Sequence, residues 1–204
     1  MPVPSMADAK KALTPLHDLI RSVIDEAWAE WRIVQRFRDE KGMGAPMYPR
    51  TVSNYVFDAI ARRAIPRFGA KDSAMVLIDA QSFKIYINGT LIRIKKGGED
   101  HLGCNWPTQM ALAFEELDGQ LPGLPPETTK LEIIWLPNEI WTQIEQVLVV
   151  ARDGDKLLWQ YEIPPAAGAI IETLPIAPVT RPDTTDTGDL VKPKVAKAKK
   201  QSKS

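Results

Sequence analysis

Cysteine is almost absent from this chain. Cys104 is the only one among 204 residues, so no intramolecular disulfide can form, and a lone thiol suits a reducing compartment. Histidine is nearly as scarce, with only His17 and His101. Structural zinc sites use four ligands in two spaced pairs. Glu99, Asp100, His101 and Cys104 supply ligand types in one short loop but have no second pair, so neither a metal site nor another cofactor is expected. Cys104 with His101 as base lacks an orienting third group, and a nucleophile is not expected there either. Charge of one sign is not in excess: 26 basic residues balance 26 acidic ones, so any charge argument must be local. The opening MPVPSMADAKK has no apolar core of a leader, and no run approaches the roughly 18 apolar residues of a membrane span. A soluble, cytoplasmic protein with no membrane association is the expectation.

Phosphate-binding motifs are missing too. Neither G-x-x-x-x-G-K nor G-x-G-x-x-G occurs, and Gly42-Met-Gly44 follows a helical pattern, which is the wrong context. A metal-dependent nuclease could use an aspartate followed by Glu-x-Lys on the next strand. Asp79 and Lys84 have that relation, but Ser82 stands where the second carboxylate belongs.

What is present is periodicity. Residues 1–13 read as a flexible lead-in. Thr14-Pro15 reads as a helix start, and Leu16, Ile20, Val23, Ala27, Trp31 and Val34 form one apolar stripe, with Arg21, Asp25, Glu26 and Glu30 largely opposite. The stretch from Lys41 to Pro49 breaks that helix, and a second runs from Thr51 to just before Pro66. The period then becomes two. Residues 74–80 form an apolar strand, and a hairpin spans 83–96 around Asn88-Gly89, a type I′ turn signal. A third helix is expected from Asn105-Trp106-Pro107 through Phe114 to Leu117. A strand through Leu131, Ile133 and Trp135 follows, and then a hairpin joins about 142–152 to 156–163 across Asp153-Gly154. That turn would pair Arg152 with Asp155, Val150 with Leu157 and Leu148 with Trp159. From residue 164 to 204 the chain is rich in Pro, Thr and Lys and reads as a disordered tail. The order lacks βαβ alternation. It predicts a single α+β domain over 14–163: a mostly antiparallel sheet of five or six strands, two N-terminal helices and one inserted helix.

Candidate sites follow from the hairpin register. With a two-residue loop, Phe83, Ile85, Ile92 and Ile94 share one side, and Lys84 stands opposite Arg93 on the other. Like charges directly opposite are unfavourable. An acidic side chain, a partner or an anion answers them, or they extend into solvent on a basic face with Lys95 and Lys96. The second helix adds Arg50, Arg62 and Arg63, with Arg67 beyond them, and its opening resembles a DNA-reading helix. The connection before it is much longer than the three or four residues of a helix-turn-helix. These seven cations, Lys84, Arg93, Lys95, Lys96, Arg50, Arg62 and Arg63, are the anion or nucleic-acid candidates. His101, Asn105 and Thr108 form a possible polar site. The six lysines from Lys192 to Lys203 suit loose polyanion binding or a solubilising end. Six tryptophans, Trp28, Trp31, Trp106, Trp135, Trp141 and Trp159, serve mainly as core, with one or two available to anchor a protein partner. No residue is identified as an acid, a base or a nucleophile.

The succession of 91–96 (LIRIKK), 105–108 (NWPT), 121–125 (LPGLP), 141–144 (WTQI) and 158–162 (LWQYE) resembles a family of uncharacterised bacterial and prophage proteins over roughly Leu16 to Ile163. Members of that family resemble the partners of proteins that join a helix-turn-helix to a zinc-peptidase-like domain, as in RosmerTA-like toxin–antitoxin modules. The resemblance implies a toxin or effector of a two-gene phage-defence module, held in check by a cognate antitoxin or regulator. The alternative is a non-enzymatic nucleic-acid-binding or regulatory module that uses helix 51–65 and the basic hairpin 83–96.

Overall fold

A computed structural model of the chain describes residues 5–79, 82–103, 112, 114–115 and 123–165. It begins with a capped helix. Ser5 Oγ accepts the Asp8 N–H at 3.1 Å, and α1 (Met6–Leu13) buries Ala9 and Leu13, four residues apart on one face. Residues 6–13, expected as part of a flexible lead-in, form this helix. Thr14, expected as the cap of the long helix, instead donates its hydroxyl to the Lys10 carbonyl at 2.6 Å. A short 3₁₀ turn, Thr14–Leu16, leads from α1 into α2 (His17–Glu40).

The inner face of α2 carries Ile20, Val23, Ile24, Ala27, Trp28 and Trp31. Arg21, expected on the polar side, is buried with them. Its Nε donates to Asp25 at 2.8 Å and a terminal nitrogen reaches the Ile163 carbonyl at 3.4 Å, which pins the helix to the end of the last strand. The second long helix, α3 (Pro49–Gly69), starts with proline in its first turn. It passes through Pro66, where the sequence predicts an end. The missing N–H leaves the Arg62 carbonyl without its usual donor, but only one short turn remains. That turn buries Phe68 and sets Arg67 on Glu26.

Six strands follow: β1 (Ala74–Asp79), β2 (Ser82–Ile87), β3 (Thr90–Lys96), β4 (Thr129–Pro137), β5 (Ile144–Asp153) and β6 (Lys156–Glu162). They lie in chain order in one sheet, antiparallel except for the parallel β3–β4 pair. This is the α+β architecture the periodicity predicts. Asn88 (φ 50°) and Gly89 (φ 74°) both take the left-handed conformation a type I′ turn needs, and Ile85 faces Ile92 in the predicted register. The β5–β6 register differs from expectation. Asp153 pairs with Lys156, so the turn is Gly154-Asp155, and only Gly154 (φ 55°) is left-handed. Asp153 does not take the positive φ that an Asp153-Gly154 type I′ turn would require. A bulge next to Arg152 then sets Ala151 opposite Trp159 and Val149 opposite Tyr161.

Both faces of the sheet are buried across β2–β5. The helices cover Ile85, Ile92, Ile133, Trp135, Val147 and Val149. The opposite face packs Leu91 on Phe114, and Ile134, Leu148 and Val150 on Leu102. Phe114 and Leu102 belong to the 97–128 connection that a parallel β3–β4 pair requires. Leu112, Phe114 and Glu115 are helical. The rest of the inserted helix, including Trp106, lies outside the described residues, as does the tail from residue 166 on. Among the described residues no helix is long and apolar enough to cross a membrane.

Candidate functional site

The second face of the sheet carries a buried charge cluster. Alternation on β3 directs Arg93 to that face, and the parallel pairing sets Glu132 of β4 beside it. Arg93 Nε donates to Glu132 Oε1 at 3.2 Å, and a terminal guanidinium nitrogen bonds the same oxygen. That nitrogen also reaches Glu115 Oε1 at 3.1 Å. From β5, Arg152 approaches Glu132 Oε2 at 3.5 Å and Glu115 Oε2 at 3.8 Å, while its Nε donates to the Gly154 carbonyl at 2.6 Å. The Gly103 N–H donates to Glu132 Oε2 at 3.0 Å. The Phe114 ring lies 4.3 Å from the Arg93 guanidinium.

Two cations and two anions therefore alternate in a space almost free of water. The Glu132 side chain is 1% exposed and that of Arg93 is 4% exposed. Desolvating four such charges is costly, and only their mutual pairing and hydrogen bonds offset it. Gly103 fits this arrangement by lacking a side chain. A Cβ there would stand 2.9 Å from Glu132 Oε2 and 3.1 Å from the Lys95 Cβ.

The candidate cations take different places. Lys84 is buried and bonds the Asp79 carboxylate, and this bond, ahead of the Ser82 hydroxyl, holds the Asp79 carboxyl below the ordinary range. Lys84 and Arg93 thus do not extend into solvent as a basic face. Each is answered by acidic side chains, because the sheet is covered on this side as well. Lys95 is half-buried with its ammonium 5.3 Å from the Phe57 ring centre; burial first, then the Arg93 charge, lowers its pKa. Lys96 lies over Trp141 at 5.1 Å and donates to the Gly97 carbonyl at 3.3 Å.

On α3, Arg62 and Arg63 bond opposite oxygens of Glu30 at 2.6 and 2.7 Å, and Arg67 forks onto Glu26. The Tyr55 hydroxyl donates to Glu30 at 2.7 Å. These donors, Tyr55 foremost, bring the Glu30 pKa down to about 2. The arginines zip α3 to α2. Arg50 stacks on Tyr48 at 5.0 Å and remains exposed.

His101 (φ 61°) sits 3.0 Å from Gln160 through Nδ1, which ties the 97–103 loop to β6. Asn105 and Thr108 lie outside the described residues, so the structure does not join them to His101. His17 meets the Tyr161 hydroxyl at 3.2 Å; burial lowers its pKa and pushes Tyr161 up to about 12. Among the described residues no three His, Cys, Asp or Glu side chains gather as metal ligands. Trp28, Trp31 and Trp135 are core, while Trp141 and Trp159 are half-buried.

Sequence reasoning did not single out Glu132, Glu115 or Gly103, and it gave Arg152 only Asp155 as a partner, which it meets at 3.5 Å. One signal for them existed. Glu132 is the only charge within the apolar run 131–136, and a carboxylate between two buried faces requires a cation. As it stands the cluster is electrically closed, and its chemistry is to fasten the 97–128 connection to the sheet. Comparison with protein-family models, with curated proteins and with solved structures returned no match.

Proposed function

We propose that this chain is the effector of a two-gene toxin–antitoxin module of phage defence and that a protein partner restrains it. The resemblance across Leu16 to Ile163 supports the module. The observation that carries the protein partner is the fate of the cations. Lys84, Arg93, Arg62 and Arg63 are matched by carboxylates within the chain, whereas large apolar side chains stand exposed at the α2–α3 turn. For these four, binding phosphate would first break an internal ion pair, so of the two contacts they favour the one through apolar surface over the one with nucleic acid.

Induced expression of the chain alone, and together with the product of its neighbouring gene, tests this reading. Growth arrest that the neighbour relieves is the expected result. Unimpaired growth in both cases overturns it. Gel mobility across a salt series separates the alternative: no shift is expected even at low salt, and a salt-sensitive shift would favour the nucleic-acid-binding module.

A further inference from the structure

Helices α2 and α3 treat their charges in two ways. Along their shared length, Arg21, Arg62, Arg63 and Arg67 are bonded to Asp25, Glu26 or Glu30. Toward the turn that joins them this matching stops. Arg32, Arg36, Arg38, Lys41 and Arg50 have no carboxylate partner among the described residues. Arg32 donates to Gln35, Arg38 to the Gly44 carbonyl, and Lys41 and Arg50 lie by the Phe37 and Tyr48 rings. Only Asp39 and Glu40 oppose these five cations within residues 32–50. The tip is net basic.

It is also apolar. Ile33 and Phe37, four residues apart on the last turns of α2, are 66% and 52% exposed, and Met47 in the following loop is 84% exposed. Met43 and Tyr48 are exposed beside them in sequence. Gly42 (φ 67°) and Gly44 (φ 64°) let the chain reverse, and the Met43 N–H bonds the Arg38 carbonyl at 2.9 Å, so the loop is folded back on the helix end. Ile, Phe, Met and Tyr side chains in solvent, on a segment of net positive charge, are the composition of a recognition surface and not of a solvated turn.

We propose that the 32–50 tip docks a protein partner through an amphipathic helix whose polar face is acidic. Charge complementarity selects the occupant: the apolar side chains receive the helix's apolar row, and the flanking carboxylates meet the unmatched arginines. An anionic membrane would also attract the cations. Vesicles of anionic lipid therefore separate that occupant from a protein. The inference rests on the protein partner proposed above but not on toxicity.

The test uses the full chain and synthetic helical peptides that share one Leu/Phe face and carry acidic or basic polar faces. Isothermal titration should find the acidic peptide bound at least about tenfold more tightly than the basic one, a full decade in Kd. The double variants Phe37→Ser/Met47→Ser and Arg36→Glu/Arg38→Glu should each lose about tenfold or more of that affinity. Phe37, Met47 and Arg36 are exposed and Arg38 is half-buried, and an unchanged thermal midpoint verifies that the variants fold. Equal affinity for both peptides overturns the proposal, as does affinity that neither double variant alters. Co-sedimentation with phosphatidylserine/phosphatidylcholine vesicles, abolished by the same variants, would assign the tip to a lipid surface instead. Unimpaired growth on expression of the chain, with peptide binding as expected, would overturn the module reading alone.

Discussion

Gly103 shows how one absent methyl group shapes a buried cluster. Its backbone is not left-handed, so the requirement is steric: Glu132 occupies the space a Cβ would fill. Glu132 cannot retreat, because Arg93 and Arg152 hold it from two strands. Gly103→Ala should cost about 1–3 kcal/mol, the range of overpacking in a close-packed interior, measured as a lower urea midpoint at unchanged slope. An unchanged midpoint would mean that the loop yields. At this scale the sequence was half legible. It placed Lys84 against Arg93, since hairpin register follows from a two-residue turn. It did not show what neutralises Arg93, because Glu132 and Glu115 come from 39 and 22 residues away along the chain.

Between elements, the α2–α3 pair carries its own acid sensitivity. Glu30 is held by Tyr55, Arg62 and Arg63, and its pKa falls from 4.5 to about 2 on folding. A depressed carboxyl stabilises the fold while it is ionised. Its contribution is thus complete above about pH 4.5 and is lost as the pH falls toward 2. Glu30→Gln should be less stable than the parent at neutral pH, and the two unfolding midpoints should converge across that window. Parallel curves would show that the carboxylate contributes nothing. Elements themselves were readable wherever a local rule governed them. The apolar stripe of α2 and the Asn88-Gly89 turn are of this kind. Two junctions were not. Pro66 signals an end in local terms, yet burial of Phe68 continues the helix, and the β6 register depends on which residue of the turn takes the positive φ.

At the scale of the whole molecule, the first helix belongs to the fold. Leu13 is fully buried in the same core as Ile20, Trp135 and Tyr161, and Lys10 lies over the Tyr161 ring at 5.1 Å. Leu13→Ala should therefore destabilise the protein by about 2–5 kcal/mol in chemical denaturation. A neutral effect would return residues 1–13 to the status of a lead-in. Length hid this helix, since an eight-residue segment is too short to be helical by itself and is held by the surface it docks on. The parallel β3–β4 pair has a different consequence, for the order of assembly. Strands β1–β3 and β4–β6 are each a local meander, with neighbours joined by short turns, and can form from contacts close in sequence. Only the middle seam joins strands separated by a long excursion of chain. Closing that excursion costs entropy before any contact rewards it, so the meeting of the two halves is expected to be the slow step of folding.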